Sequence, residues 1–290
     1  MRRACIDIGS NTTRLLVADC DGERLLEVHQ ERAFTHVRRA MTADAEIVPD
    51  KIAEVAVVVA AQLHAARELG AQDIRGVATA AVRRAANRDE LLSAIRGSCG
   101  LEVEVLSAAE EARLAFVGAA RTLGYDPAGP LGVVDVGGGS CELVVGNVPD
   151  QVSWYASFEL GSGQLADDCL QSDPPSAEDL SRARARVRDV LNGVRPPRAA
   201  RVVAVGGSAT SVRRIAGPRL DDDAFTRVLT LLTGERAADL AHRFALDADR
   251  VRLLPAGLVI LEAAADLFGT PLEVANGGLR EGLLLEARNG

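Results

Sequence analysis

Lysine is all but missing from this 290-residue chain: Lys51 is the one copy among 33 lysines and arginines. A Walker A phosphate loop needs Gly-Lys-Ser/Thr and a protein kinase needs a strand lysine, so both are excluded. Aromatic residues make up 3% of the chain, too few to supply rings on which nucleic-acid bases stack. The four histidines (His29, His36, His64, His242) lack metal-ligand spacing, and no H-E-x-x-H occurs. Five cysteines, odd in number, scattered and never C-x-x-C, argue against a disulfide frame or a zinc site and fit a reducing cytoplasm. No 18-residue apolar run appears, and the start MRRACIDIGS lacks an apolar signal region, so neither membrane insertion nor export is expected. A net charge of −8 argues against a general partner among nucleic acids or membrane surfaces. An anionic ligand would have to be drawn by local arginines and backbone N–H groups, against the bulk field.

What is present is ordinary in amount and unusual in arrangement. The 48% hydrophobic and 26% charged shares are those of a globular protein, and the length suffices for two cored domains. The stretch Leu131–Asn147, LGVVDVGGGSCELVVGN, repeats the N-terminal Ala4–Asp19, ACIDIGSNTTRLLVAD. Asp7 matches Asp135, Gly9 matches Gly137 and Leu15-Leu16-Val17 matches Leu143-Val144-Val145, all 128 positions on and without a gap. Each copy reads as a buried strand, a tight glycine-containing turn and a returning strand. Glycine in such a turn is expected to supply positive φ and to leave N–H groups lining an anion nest. Each aspartate ends its first strand beside the nest, where a carboxylate can hold Mg²⁺ through water. A lone turn of this kind is also compatible with a hairpin that binds nothing, but repetition points to one unit duplicated into facing halves.

The rest of the chain reads as two αβ halves. In the first half, Asp21-Gly22 turns into a strand over Arg24–Phe34, and a helix capped by Asp50 runs to about Leu69. A short strand Ile74–Thr79, a helical turn at Ala80–Ala86, a helix Asp89–Arg96 stopped by Gly97 and a strand Leu101–Leu106 follow. Ser107-Ala108-Ala109-Glu110 has the form of a capping box opening a helix that stops near Gly124. Tyr125–Pro130, with two prolines and a glycine, is the expected domain boundary. In the second half, Val202–Val205 runs into Gly206-Gly207 and a helix, a junction that aims helical N–H groups at whatever lies above it. Helices are then expected at Thr233–Ala245 and Pro255–Phe268, followed by a strand Leu272–Ala275, a Gly277-Gly278 turn and a last helix Leu279–Ala287.

Removing a terminal phosphate requires an anion cradle, a metal to neutralise charge and a base to activate water. The turns at Gly9-Ser10-Asn11 and Gly137-Gly138-Gly139-Ser140 supply the cradle. Asp7, Asp135 and Glu142 are candidate carboxylates for Mg²⁺ or its waters. Glu111 is a candidate base, though a carboxylate in a first helical turn also serves simply to offset the helix dipole. Arg83 and Arg84 follow the Thr79 strand end, where a guanidinium can meet phosphate or solvent. Gly161-Ser162-Gly163-Gln164-Leu165-Ala166 fits G-x-G-x-x-A loosely, but the acidic residues about twenty on fall inside a helix, against a dinucleotide site.

Taken together, CIDIGSNTTRLLVAD, VATAAVRRAANRDEL, EVLSAAEEARLAFVGA, VVDVGGGSCELVVG, VAVGGSAT and GGLREGLL resemble, in order and along essentially the whole chain, the Ppx/GppA family of exopolyphosphatases and guanosine pentaphosphate phosphohydrolases. The resemblance implies an α/β fold of two ribonuclease H-like domains, as in the acetate and sugar kinase, Hsp70 and actin superfamily, with the active site in the interdomain cleft. The domains are expected at 1–124, completed by the C-terminal helix 279–290, and at 125–278. By the same resemblance Glu111, with Asp135 and Glu142, is catalytic. Gly9, Ser10, Asn11, Arg83 and Gly137 to Ser140 bind phosphate, and Asp7, Asp135 and Glu142 serve Mg²⁺. The implied partners are inorganic polyphosphate or guanosine pentaphosphate, and a second copy of the chain in a homodimer. Ser107-Ala108, Thr35-His36-Val37-Arg38 and Arg250-Val251-Arg252 depart from the family pattern. Those departures keep a weakly active polyphosphate- or alarmone-binding protein as a rival expectation, and a small-molecule kinase of the same superfamily is a further one.

Overall fold

Two mixed sheets carry the fold, and each begins with the hairpin that the sequence contains twice. The computed structural model describes residues 1–21 and 24–286, so part of the Asp21-Gly22 turn and the expected helix end at Ala287 lie outside the described residues. The first sheet is built from β1 (Arg2–Ile8), β2 (Thr13–Cys20), β3 (Leu25–Ala33), β4 (Asp73–Ala78) and β5 (Val103–Val105), in the order β3-β2-β1-β4-β5. Helices α1 (Pro49–Glu68), α2 (Ala80–Arg84) and α3 (Arg88–Cys99) connect its later strands. Helix α4 (Ala108–Arg121) leads to the second sheet, which begins with β6 (Leu131–Val136), β7 (Cys141–Asn147) and β8 (Gln151–Phe158). After α5 (Ser162–Cys169) and α6 (Ala177–Leu191) come β9 (Arg201–Val205), α7 (Gly206–Ala216) and β10 (Arg219–Leu220). The chain ends with α8 (Asp222–Gly234), α9 (Ala237–Phe244), α10 (Ala248–Phe268), β11 (Leu272–Val274) and α11 (Leu279–Leu285).

The second sheet runs β10-β11-β9-β6-β7-β8. Read from β8, it repeats the first sheet strand for strand, with β10 added at the far edge. The architecture is therefore a two-domain α/β fold of the ribonuclease H-like kind. Central strands are apolar on both faces because helices cover both: Ala4, Cys5, Ile6 and Ile8 of β1 are all buried. Among the described residues, no helix is long and apolar enough to cross a membrane.

Several elements differ from the expectation for local reasons. Val48 caps α1 with Pro49 at the first helical position, where a missing N–H costs nothing; Asp50 lies within the first turn instead. Gly97 is inside α3, which continues to Cys99, and it is Gly100 that turns the chain at φ 75°. Pro255 lies inside α10, capped eight residues earlier by Asp247, because burial of Val251, Leu254 and Leu258 outweighs one lost backbone hydrogen bond. The segment expected as one helix over Thr233–Ala245 is the end of α8 plus α9, broken after Gly234. Ser107 caps α4 through the Glu110 N–H at 3.1 Å, but Glu110 turns its side chain to Arg113.

Helices α4 and α11 lie between the sheets and position the site. Leu114 packs with Cys5, Leu16 and Leu284 under the first sheet, while Phe116 packs with Leu131, Val144 and Val203 under the second. The two helices approach so closely that a Cβ on Gly118 would strike the Gly278 carbonyl, and one on Gly282 the Leu114 carbonyl. Arg3 at the start of the chain donates to the Leu284 carbonyl at 2.7 Å, tying α11 to β1.

Candidate active site

The two repeated turns are built alike and face each other. In the first, the Gly9 N–H donates to the Thr12 carbonyl at 2.9 Å; in the second, the Gly137 N–H donates to the Ser140 carbonyl at 3.0 Å. These bonds close the turns, so Gly9 and Gly137 have no N–H left for a ligand, contrary to the expectation. The N–H groups of Ser10, Asn11, Gly138, Gly139 and Ser140 have no acceptor among the described residues. None of the four turn glycines has positive φ, which corrects the reason expected for them. Gly138 and Gly139 are glycines because the opposite turn leaves no room: a Cβ on Gly138 would lie 2.8 Å from Asn11 Nδ2, and one on Gly139 2.9 Å from Ser10 Cβ. Gly161 at the start of α5 presses on the Gly138 backbone in the same way.

Between the turns lies a cavity of about 110 Å³, whose walls include Asp7, Gly9, Ser10, Asn11, Glu111, Asp135 and Gly137 through Ser140. The sequence-predicted cradle, two of the three predicted metal carboxylates and the candidate base thus share one chamber. Arg83 and Glu142 are not on its wall. Arg83 lies behind Glu111 and donates through Nη1 to Glu111 Oε2 at 2.7 Å and to the Leu106 carbonyl at 2.8 Å. Glu142, 1% exposed, sits opposite Asp135 in the β6–β7 register and accepts a hydrogen bond from Ser157 Oγ at 2.8 Å.

Sequence reasoning did not single out Arg14 and Arg280, and met Arg250 only as a departure; all three line the chamber. A signal for Arg14 was available. Arg14 faces Asp7 across β1–β2 as Glu142 faces Asp135 across β6–β7, and the 128-residue offset maps one onto the other. The same structural position thus carries a cation in one half and an acid in the other. Arg14 and Arg250 converge on Gly207 at the start of α7, where a Cβ would lie 2.7 Å from Arg14 Nη2 and 2.6 Å from Arg250 Nη1. Arg250 is buried, has no ion pair among the described residues and leaves its Nε without an acceptor. Burial, then the neighbouring Arg280, pushes Arg14 down to about 10, with Asp7 opposing, and burial, then Arg14, pushes Arg250 down to about 9. Two guanidinium groups, Arg250 buried and Arg14 half-buried, held against a helix start call for an anion between them.

The acids are strained in the opposite sense. Burial, then the neighbouring Glu111, pushes Asp135 up to about 7, with Arg14 opposing. Burial raises Asp7, against the pull of Arg14 and Arg280. Glu111 is raised by burial in spite of Arg83, and Glu142 is raised well above the usual range by burial, Glu111 and Asp135. Among the described residues no three acidic, histidine or cysteine side chains form a ready-made metal cage. The donors do fit a hard cation held by few protein ligands. Asp7 Oδ1 is buried without a hydrogen-bond partner, and Mg²⁺ binds through one or two carboxylates with waters and substrate phosphates.

A sequence model of the Ppx/GppA phosphatase family matches residues 16–289. Exopolyphosphatase 2 of Mycobacterium tuberculosis is 33% identical, over 83% of this chain and 79% of its own length. Exopolyphosphatase 1 of Mycobacterium leprae is 28% identical, over 98% of this chain and 89% of its own. Among solved structures, the Aquifex aeolicus member of the Ppx/GppA family superposes with a TM-score of 0.82 at 27% identity, covering 98% of this chain and 96% of that one. The fold is also that of an exopolyphosphatase from Cytophaga hutchinsonii, with a TM-score of 0.84 at 21% identity and coverage of 98% and 96%.

Proposed function

The chain belongs to the Ppx/GppA phosphatase family, and from that membership we propose that it is a Mg²⁺-dependent exopolyphosphatase, releasing orthophosphate from the end of inorganic polyphosphate. The observation that carries the reading is the chamber itself: two facing turns with unclaimed N–H groups, a buried and a half-buried arginine without ion pairs among the described residues, and one buried glutamate converge on a space fit for one phosphoryl group.

In the proposed reaction the terminal phosphate rests on the N–H groups of Ser10, Asn11, Gly138, Gly139 and Ser140. Arg14 and Arg250 neutralise charge on its oxygens. Arg83 occupies Glu111 Oε2, which leaves Oε1, 3.5 Å from the Ser140 hydroxyl, to take the proton of the attacking water. The water oxygen bonds to phosphorus, the bridging P–O bond breaks, and the electron pair stays on the shortened chain. Mg²⁺, when bound, neutralises charge between phosphate oxygens, and Asp7 and Asp135 are the side chains that would hold it. Glu142, off the wall, acts through Asp135 as a positioning residue.

The test is a phosphate-release panel over long polyphosphate, tripolyphosphate and guanosine pentaphosphate, with and without Mg²⁺. Release from polyphosphate that depends on Mg²⁺ is the expected result. Release from guanosine pentaphosphate alone, or tight binding of all three without turnover, would overturn it in favour of the alarmone or the binding reading.

A further inference from the structure

A chamber of about 110 Å³ equals the liquid volume of roughly four water molecules. It takes the phosphoryl group being cleaved with its attacking water and a metal ion, and leaves no room for a second phosphoryl group, so the phosphates behind it must lie elsewhere. Three other cavities, of about 340, 470 and 560 Å³, share no wall residue with the chamber. A fourth, of about 390 Å³, shares Arg14, Gly206, Gly207, Gly278 and Arg280 with it, and so adjoins it.

The character of this second cavity matches what must occupy it. Four arginines reach it: Arg14 and Arg280 at the shared wall, Arg32 and Arg214 further out. On its wall only Asp247 and Glu281 oppose them; both are engaged with backbone, and Glu281 Oε1 also pairs with Arg280 Nη2 at 3.9 Å. Asp247 accepts the Asp249 N–H at 2.9 Å as the cap of α10, and Glu281 accepts the Gly278 N–H at 2.8 Å. Arg32 forms no ion pair among the described residues; its guanidinium lies over the Phe34 ring at 5.9 Å, which holds it without spending its N–H groups. Arg214 donates once, through Nη1 to the Ala245 carbonyl at 2.9 Å. The outer part of the cavity is therefore a pair of cations with most of their donors unspent, one from each domain.

We propose that this second cavity holds the phosphates of a polyphosphate chain behind the one being cleaved, with Arg32 and Arg214 as the residues that favour long chains over short ones. The inference rests on the exopolyphosphatase reading and adds to it a direction for the polymer and a basis for chain-length preference. Phosphates next to the cleaved group meet Arg14 and Arg280, and later ones meet Arg32 and Arg214. A chain of three phosphates gains little from the outer pair, and a long one gains from both.

The test is the double variant Arg32→Gln/Arg214→Gln; both side chains are exposed and neither lies on the catalytic chamber. The kcat and KM for release are measured over polyphosphates of increasing length from tripolyphosphate, with guanosine pentaphosphate alongside. Loss of two charge-assisted contacts should raise KM for long chains about 10-fold or more, with kcat held and tripolyphosphate within about 2-fold of wild type. An equal loss at every length, no loss at any length, or a loss confined to guanosine pentaphosphate would overturn the proposal. Should the wild-type protein release no phosphate at all, the exopolyphosphatase reading falls on its own. The subsite is then tested by equilibrium binding of fluorescently labelled long polyphosphate to wild type and double variant, and equal affinities overturn it.

Discussion

Glu111 shows how one side chain can be read two ways until its neighbours are known. In the first turn of α4 it could have been a dipole-compensating surface acid; instead it is 6% exposed, pinned by Arg83 and turned toward the repeated turns. Replacing a positioned general base costs about 10²–10⁴ in rate, so Glu111→Gln should cut phosphate release by that factor while labelled polyphosphate still binds. Arg83 favours the ionised form of Glu111, so Arg83→Met should raise the acid's pKa further. The acid limb of the kcat/KM–pH profile should then move to higher pH; an unmoved limb would leave Arg83 with a purely structural role. Asp135 makes a stability prediction. With its folded value raised to about 7, it is protonated in the native state where the unfolded chain is already ionised. Its stabilising contribution is full below the ordinary carboxylate range, near pH 4, and is lost as pH rises through about 7. In metal-free thermal melts, Asp135→Asn should therefore lose less Tm than wild type between pH 5 and pH 8.

At the scale of elements, the glycines do their work through contact. In Gly138 and Gly139 the absent Cβ lets one hairpin turn rest on the other, and in Gly118 and Gly282 it lets α4 and α11 cross at backbone contact. The two cases should behave differently. Gly139→Ala sets a methyl 2.9 Å from Ser10 Cβ, which no Ser10 rotamer can move, so the two turns must part: kcat/KM for polyphosphate should fall, with a smaller loss of Tm than at Gly118. Gly118→Ala drives a methyl into the fixed Gly278 carbonyl, and overpacking of this kind costs roughly 1–3 kcal/mol. A clear drop in Tm is expected there, read by thermal denaturation. The start of α7 belongs to this scale too. Gly206, at φ 87°, turns β9 sharply into the helix, and a Cβ there would stand 2.5 Å from Asp135 Oδ1, so turn and carboxylate are packed as one unit.

Across the whole molecule, the two domains are fastened on the outer side of the chamber. Asp167 of α5 receives Arg39 Nη2 at 2.8 Å and also Arg38, both from the loop after β3, and Arg84 meets Glu159 at 3.2 Å. Such partly exposed pairs are worth roughly 0.2–1 kcal/mol each and are screened by salt. Asp167→Ala should loosen closure, raising KM for polyphosphate by less than about 10-fold at low salt and by less still at high salt. A salt-independent loss would show that Asp167 acts through folding. The loop after β3 is also where the chain departs from the family pattern at Thr35-His36-Val37-Arg38. There Arg38 faces Asp167 on the other domain, away from the chamber wall.

The duplicated hairpins, the small residues at their turns, the single lysine and the buried strands were all visible in the chain, because each rests on local pattern: apolar runs, glycine spacing and residue counts. Those patterns were enough to set the α/β class, to put Asp7 and Asp135 at equivalent strand ends and to direct attention to phosphate. What tertiary packing alone decided was which charges meet. That Arg83 backs Glu111 across 28 residues, that Glu142 stays behind the wall, and that Arg14 and Arg250 converge from different domains depends on how two sheets close around α4 and α11. The reason is physical: turns and strands follow from interactions within a few residues, while the ionisation and partners of a buried group follow from everything packed against it, most of which is distant in sequence.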